Sequence, residues 1–356
     1  MYTAKPMPKN PVVAIAGITG AVGQEILLVL EQLDFPASEV RALASARSAG
    51  KRIPYTGPGA PADGELVVQE MTDDSFDDVD IVLFSAGGSI SERFAPAVVA
   101  SGAVMIDNTS AFRMRDDVPL VVPEVNADDI KWHQGIIANP NCTTIQMVVA
   151  INPIHQLAPI KRVVVSTYQS ASGAGAEGMQ ELYDQTRAYL EGEKDLTIEA
   201  FAHQIAFNCI PQIDVFMDDL TTKEEWKMIV ETKKIMHAPN LEVAPTCVRI
   251  PILRSHSESI NIEFDTDALD AQGRAYPTLD EVRTALENAP GVVVIDDPAN
   301  QQYPMPYPTN GTNETYVGRL RVDNSVKSGV ALWCVADQLR KGAALNAVQI
   351  AQALLP

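Results

Sequence analysis

The sequence predicts an α/β chain in which a parallel sheet wound with helices is followed by a second, α+β domain on a mixed sheet. Three observations predict it. At 356 residues the chain exceeds one domain of about 100–200 residues. Its first third alternates short β-rich runs with helical patterns, the grammar of βαβ units. Beyond about residue 141 longer β-rich runs alternate with the helices, as in a mixed sheet. The expected division is residues 1–141 plus 334–356 for the first domain and 142–333 for the second.

Taken in order, Val12-Val13-Ala14-Ile15-Ala16 reads as a buried strand and the apolar-periodic stretch from Val22 to Leu33 as a helix, closed at Pro36. Val40 to Ala44 supplies a second strand, and Gly57-Pro58-Gly59-Ala60-Pro61 marks a turn-rich excursion. Ile81 to Phe84 and Ala103 to Ile106 read as two more buried strands. In the second domain Arg162 to Tyr168, Val248 to Leu253 and Ser257 to Phe264 read as strands. Ala331 to Leu355 reads as a helix packing back on the first domain.

Composition excludes several classes. Apolar residues at 46% and charged ones at 21% are ordinary for a globular chain, which excludes disordered, collagenous and coiled-coil classes. A net charge of −19 repels nucleic acid and anionic membranes, so a small anionic ligand needs its own cationic pocket. Cys142, Cys209, Cys247 and Cys334 are scattered, with no CxxC, which fits neither a disulfide framework nor a zinc ribbon. Met1 to Asn10 lacks an apolar leader core and no apolar run approaches a membrane span, so the chain reads as cytoplasmic, without a metal site.

Gly17-Ile18-Thr19-Gly20-Ala21-Val22-Gly23 lies between the first strand and the first helix. There the backbone can approach a pyrophosphate, and the helix N-terminal amides stabilise the anion. The spacing is GxxGxxG, not GxGxxG, and a plain strand-to-helix turn is the competing explanation. After the second strand an NAD site would carry Asp or Glu for the ribose 2′-hydroxyl. The chain has Ser45-Ala46-Arg47-Ser48 instead, which suits a 2′-phosphate and favours NADP, the alternative being a solvated loop.

In Asn139-Pro140-Asn141-Cys142-Thr143-Thr144, Asn141 is a natural N-cap and Cys142 falls in the first helical turn, where positive potential favours a thiolate nucleophile. Most cysteines are inert core residues, and the other three sit in apolar surroundings. Of the five histidines, only His256 has a suggestive setting, in a loop-like Arg254-Ser255-His256-Ser257 following Arg249, although a lone histidine is more often structural. A nucleotide fold combined with an activated thiol suggests aldehyde or acyl-phosphate chemistry through a covalent acyl-sulfur intermediate.

The chain resembles the bacterial-type aspartate-semialdehyde dehydrogenase family over essentially its whole length. The segments that carry the resemblance are Gly20 to Gly23, Ser45 to Lys51, Asp107 to Arg113, Asn139 to Thr144, Ser166 to Gln169, Ser172 to Gly175, Lys223 to Lys227, Arg249-Ile250-Pro251 with His256-Ser257, and Leu339 to Ala344. The resemblance implies a Rossmann-like NADP-binding domain plus an α+β catalytic and dimerisation domain. It implies Cys142 as nucleophile, His256 as acid/base, Gln169 placing the substrate amino group or the nucleophile, and Arg249 holding the substrate carboxylate. A guanidinium suits that carboxylate. Glu224 is carried over as substrate-binding and one helical turn before Lys227, and Arg113, Asn141 and Lys227 as the site of phosphate or the acyl phosphate.

At the cofactor the resemblance implies Thr19, Gly20, Ala21 and Val22 on the pyrophosphate, Arg47 and Ser48 on the 2′-phosphate, and Ser172, Gly173 and Gln338 nearer the nicotinamide. Two positions depart from the family pattern. Gln338 stands where Asn is common, and Arg254-Ser255 replaces a small Thr-Gly-like pair, so that an extra cation is expected to raise the local positive potential. The implied reaction is NADPH-dependent reduction of aspartyl 4-phosphate to aspartate 4-semialdehyde with release of phosphate, in lysine, threonine, methionine and isoleucine biosynthesis, by a homodimer or homotetramer. The alternatives are N-acetyl-glutamyl-phosphate reductase, against which Arg249 and the Lys223 to Lys227 segment weigh, and a non-catalytic NADP-binding paralogue, against which the retained Cys142, Gln169, Arg249 and His256 weigh.

Overall fold

The structure is a computed structural model that describes residues 5–265 and 277–356, so the first four residues of the N-terminal stretch lie outside it. The chain separates into two compact units, Met1–Asn141 with Ala343–Pro356, and Cys142–Gly342.

In the first unit the elements run β1 (Val12–Ala16), α1 (Ala21–Gln32), β2 (Glu39–Ala44), β3 (Arg52–Pro54), β4 (Glu65–Val67), β5 (Gln69–Glu70), β6 (Ile81–Phe84), α2 (Gly88–Ser101), β7 (Val104–Asp107), α3 (Pro123–Asn126) and β8 (Ile136–Ala138). Six of the strands form one sheet in the order β5-β2-β1-β6-β7-β8, and every pairing in it is parallel. Counting only these six in chain order gives 3-2-1-4-5-6, the doubly wound nucleotide-binding order, with its switch point beside β1. β6 and β7 are buried at every position, as a parallel sheet covered on both faces requires. Ile15, Ile26, Leu30, Leu83 and Ile106 share a core with Leu345 and Val348 of the C-terminal helix Leu345–Ala353. β3 and β4 make a separate antiparallel pair around the Gly57–Pro61 excursion.

The second unit runs α4 (Cys142–Leu157), β9 (Ile160–Gln169), α5 (Gly175–Leu190), α6 (Lys223–Ile235), β10 (Glu242–Arg249), β11 (His256–Phe264), α7 (Leu279–Glu287), β12 (Val292–Val294), β13 (Thr315–Val322) and β14 (Gly329–Ala336). Its sheet has the order β10-β9-β11-β14-β13-β12. The β10–β9 and β12–β13 pairings are parallel and the rest antiparallel, so the sheet is mixed, as expected. α4 is buried around its circumference from Thr143 to Asn152, as a helix apolar on all sides must be. α6 opens on a capping box in which Thr222 Oγ1 accepts from Glu225 N and the Glu225 carboxylate accepts from Thr222 N.

Three expectations are corrected. Ala331 to Ala336, read as helix, belongs to β14, and helix resumes only with a π-helical turn at Arg340–Ala344 and the helix from Leu345. A continuous apolar run has no period by which strand and helix can be told apart. Because β14 pairs along its length with β11, the chain stays in the second unit to Gly342 and does not return at 334. Val248 to Leu253, read as strand, contains only the end of β10, since the strand stops at Arg249 and Pro251 offers no N–H to a ladder.

Candidate active site

In the first unit, Gly17 turns the chain out of β1 at φ +88°, and a Cβ there would strike the Ser85 carbonyl. Gly23 lies so close to the Gly17 carbonyl that a side chain would collide with it. Gly20 differs: its backbone is at φ −80° and an added Cβ would meet only the Gly17 oxygen, at 3.4 Å. Thr19 and Gly20 are exposed, and α1 begins at Ala21 and Val22 with no acidic residue in its first turn, leaving its positive end for an anion.

The amides of Gly17 and Ile18 both donate to Leu43 O, at 2.9 and 3.2 Å, tying the glycine loop to the end of β2. The next residues form a short 3₁₀ turn, Ala46–Ser48, with Arg47 exposed and basic at its end. Among the described residues no carboxylate makes an ion pair with Arg47. An anion-binding loop with a cation at the next strand end fits a dinucleotide carrying a 2′-phosphate.

Arg113 is buried, its Nε donating to Asn139 O at 2.9 Å and an Nη to Asn108 O at 2.8 Å. Asn139 donates to Asn108 Oδ1 (2.9 Å) and accepts from Asn346 of the C-terminal helix (2.6 Å), so three amides brace the guanidinium. Asn141 is also buried.

The second unit starts at the cysteine that follows Asn141. Cys142 is the first residue of α4, half-buried and reduced, with no acidic residue in that first turn. Gly342 makes room for it, since a Cβ on Gly342 would lie 2.8 Å from the cysteine Cβ. Cys247 and Cys334 are buried, and burial pushes both thiols up, the opposite of activation.

β9 and β10 end side by side, pairing Gln169 with Arg249. Gln169 accepts from Thr167 Oγ1 at 2.9 Å and donates from Nε2 to Glu224 Oε1 at 3.2 Å. The other Glu224 oxygen accepts from Lys227 Nζ at 3.1 Å, and Asp214 accepts from the same ammonium at 2.8 Å. Burial works to lower the Lys227 pKa, but the two carboxylates outweigh it and raise it. Arg249 donates to Ser170 O at 2.7 Å. Burial lowers its pKa, while Glu224 and Cys142 hold it up. Gly173 leaves space for it: a Cβ there would lie 2.5 Å from the guanidinium and 3.4 Å from His256 Cε1.

His256 opens β11 and is fully buried. Its Nδ1 lies 3.1 Å from Ser170 N and 3.0 Å from Ser170 Oγ, and its Nε2 has no hydrogen-bond partner among the described residues. Burial, and then Arg249, push its pKa well below the usual imidazole range. Gln338 and Ser172 lie behind it, hydrogen-bonded to each other, and Gln338 Oε1 accepts from Ser255 N at 2.8 Å.

The second departure from the family pattern is corrected here. Arg254 does not add an uncompensated charge, because its Nε donates at 2.6 Å to Asp337, which is fully buried. Asp337 also accepts from Gly311 N at 2.6 Å and Leu339 N at 3.0 Å. Ser255 takes φ +70°, which explains why a glycine suits that position.

Within the second unit, then, a thiol at a helix start, an amide, a guanidinium and a buried imidazole are gathered together. Residues 12–133 match the family described as semialdehyde dehydrogenase, NAD binding domain, and residues 151–341 the one described as semialdehyde dehydrogenase, dimerisation domain. Aspartate-semialdehyde dehydrogenase of Campylobacter jejuni is 52% identical over 97% of this chain and 98% of its own. The Bacillus subtilis enzyme is 51% identical over 96% of each. The chain belongs to the aspartate-semialdehyde dehydrogenase family. A solved structure of aspartate semialdehyde dehydrogenase II from Vibrio cholerae, complexed with ASA, is similar at TM-score 0.89 and 45% identity, over 97% of this chain and 98% of that one.

As a member of the aspartate-semialdehyde dehydrogenase family the chain is an oxidoreductase of amino-acid biosynthesis with a Rossmann-type dinucleotide-binding domain. Neither alternative weighed from the sequence is favoured. The dimerisation domain points to an oligomer. Among the described residues no helix is long and apolar enough to cross a membrane. Sequence reasoning missed Asp214, Ser170, Gly342 and the role of Asp337. Gly342 and Asp337 lay inside or beside a quoted motif, whereas Asp214, in a loop before α6, gave no signal.

Proposed function

We propose that the chain reduces L-aspartyl 4-phosphate to L-aspartate 4-semialdehyde with NADPH, reversibly, through a thioester on Cys142. The observation that carries this reading is the cluster of Cys142, Gln169, Arg249 and His256 in one unit of a chain about half identical to enzymes of that name. Thr19, Gly20, Ala21 and Val22 hold the pyrophosphate, Arg47 and Ser48 select the 2′-phosphate, and Ser172, Gly173 and Gln338 border the nicotinamide. When bound, NADPH supplies the hydride.

The Cys142 sulfur bonds to the acyl carbon as the bond from that carbon to phosphate breaks, and one proton goes to the departing phosphate. Arg113, Asn141 and Lys227 take that phosphate. Lys227 serves as part of a charged group, since Glu224 and Asp214 already offset it. Arg249 binds the substrate carboxylate, and Glu224 and Gln169 receive its ammonium. After hydride reaches the acyl carbon, the carbon–sulfur bond breaks and leaves aldehyde and thiolate. His256 attends the oxygen on that carbon throughout.

Assembly as a homodimer or homotetramer is supported by the dimerisation-domain match and by exposed apolar side chains of the second unit, among them Leu190, Phe216, Leu220 and Tyr307. The net charge of −19 suits a cytoplasmic site of action.

The test follows NADPH formation from aspartate semialdehyde, NADP and phosphate. Phosphate-dependent turnover that is lost in Cys142→Ser supports the reading. Wild-type turnover of N-acetylglutamate semialdehyde in its place overturns the substrate assignment.

A further inference from the structure

We infer that Phe201 is a positioning residue for substrate binding: its ring, clamped by Glu181 and Gln185 of α5, lies against the Arg249 guanidinium and holds it ready for the substrate carboxylate. The inference deepens the proposed reaction and rests on that reading for what Arg249 binds. All the residues concerned belong to the second unit.

The ring is held from behind. Phe201 is half-buried and packs against Ala171, Leu182, Ile205, Ala206 and Ile210. The segment that carries it lies outside helix and strand, so its amides need other partners, and two side chains of α5 supply them. Glu181 Oε2 accepts from Glu199 N at 2.9 Å and from Ala200 N. Gln185 Oε1 accepts from Ile205 N at 2.9 Å and Ala206 N at 3.1 Å. The Gln185 Nε2 donates to Glu181 Oε1 at 3.0 Å and to Thr197 O at 2.7 Å, which braces the two acceptors against each other. Both are buried. Phe201 thus lies between two fastened pairs of amides, one before it and one after. Gly178, also on α5, clears the ring, since a Cβ there would lie 3.0 Å from Phe201 Cζ.

The guanidinium is set against this ring. Arg249 Cζ lies 5.8 Å from the Phe201 ring centroid, and Arg249 exchanges both backbone hydrogen bonds with Ile210 of the same cluster, at 2.9 Å each. A guanidinium is planar and weakly hydrated, so an aromatic ring can hold it while its N–H groups stay available to a partner. Ser170 O takes one of them at 2.7 Å, leaving others for a carboxylate. An arginine already fixed gives up little rotamer freedom when the carboxylate arrives. The ring's effect therefore falls on binding and not on the chemical step.

The test compares Phe201→Leu, which keeps an apolar side chain without the ring, with Phe201→Tyr, which keeps the ring. The substrates are aspartate semialdehyde and 3-aminopropanal, the same aldehyde without its carboxylate. Phe201→Leu should raise the KM for aspartate semialdehyde about tenfold with kcat little changed, and Phe201→Tyr should stay near wild type. On 3-aminopropanal kcat/KM should be the same in all three proteins. An unmoved KM in Phe201→Leu overturns the inference. So does an equal loss on the aldehyde without a carboxylate, which a merely structural role would produce. In the wild type without substrate, the Arg249 Nε–H, assigned with Arg249→Lys, should show a nuclear Overhauser contact with a phenylalanine ring. Its absence overturns the inference even where Phe201→Leu does not fold. A wild type silent on aspartate semialdehyde would sink the substrate reading, and the spectrum would still decide whether the ring holds the guanidinium.

Discussion

Gly20, at the end of the loop, and Gly23, in the first turn of α1, lie three residues apart and lack side chains for different reasons. Gly23 is required by the fold, because the Gly17 carbonyl occupies the space a Cβ would take. At Gly20 the protein itself leaves that space nearly open, which is what a loop that admits a pyrophosphate must do. Gly23→Ala should therefore lower the melting temperature, whereas Gly20→Ala should melt close to wild type and bind NADPH about tenfold more weakly by fluorescence titration. Arg47→Ala should raise the Kd for NADPH about ten- to hundredfold and leave NADH nearly unaffected, because only the former carries the 2′-phosphate. Gly173→Ala should act through Arg249, raising the KM for aspartate semialdehyde, because the methyl group takes the place of the guanidinium.

At the scale of the element, β11 carries His256 and, two residues on, Glu258, which therefore share a face of the sheet. Glu258 is fully buried beside Gln146 of α4, one turn beyond Cys142, and burial pushes its carboxyl well above the usual range, with Gln146 opposing. The folded state thus keeps a proton that the unfolded chain loses above about pH 4.3. Stability must fall as pH rises from there toward the raised folded value. Glu258→Gln, which cannot titrate, should gain on wild type in thermal melts with rising pH and match it near the acid end. The elements themselves were unequally legible. β1, β2 and β6 could be read because buried parallel strands are short apolar runs bounded by turns. β14 could not, since Ala331 to Ala336 is equally apolar as helix or strand and only its pairing with β11 decides. Cys142 and Gln169 were readable from motifs near them in sequence. The Asp337 that neutralises Arg254 and the Asp214 that holds Lys227 were not, because those partners meet only after folding.

For the whole molecule the governing quantity is the net charge of −19, which opposes the approach of an anionic dinucleotide to a site whose glycine loop attracts it. The repulsion acts at long range, and a Debye length of about 10 Å at 0.1 M salt removes most of it. Stopped-flow association of NADPH should accelerate as ionic strength rises toward that value; a rate that only falls would mean that the local cations outweigh the global field. The second unit begins at Cys142 and ends at Gly342, so near each other that a Cβ on Gly342 would lie 2.8 Å from that of Cys142. The sulfur proposed as nucleophile therefore sits where a long inserted segment closes on itself, and that segment has the form of a cassette whose ends come together at its own seam. Lineages that exchange such a cassette would transfer the thiol, the amide, the guanidinium and the imidazole as one heritable piece, leaving the dinucleotide fold to vary on its own.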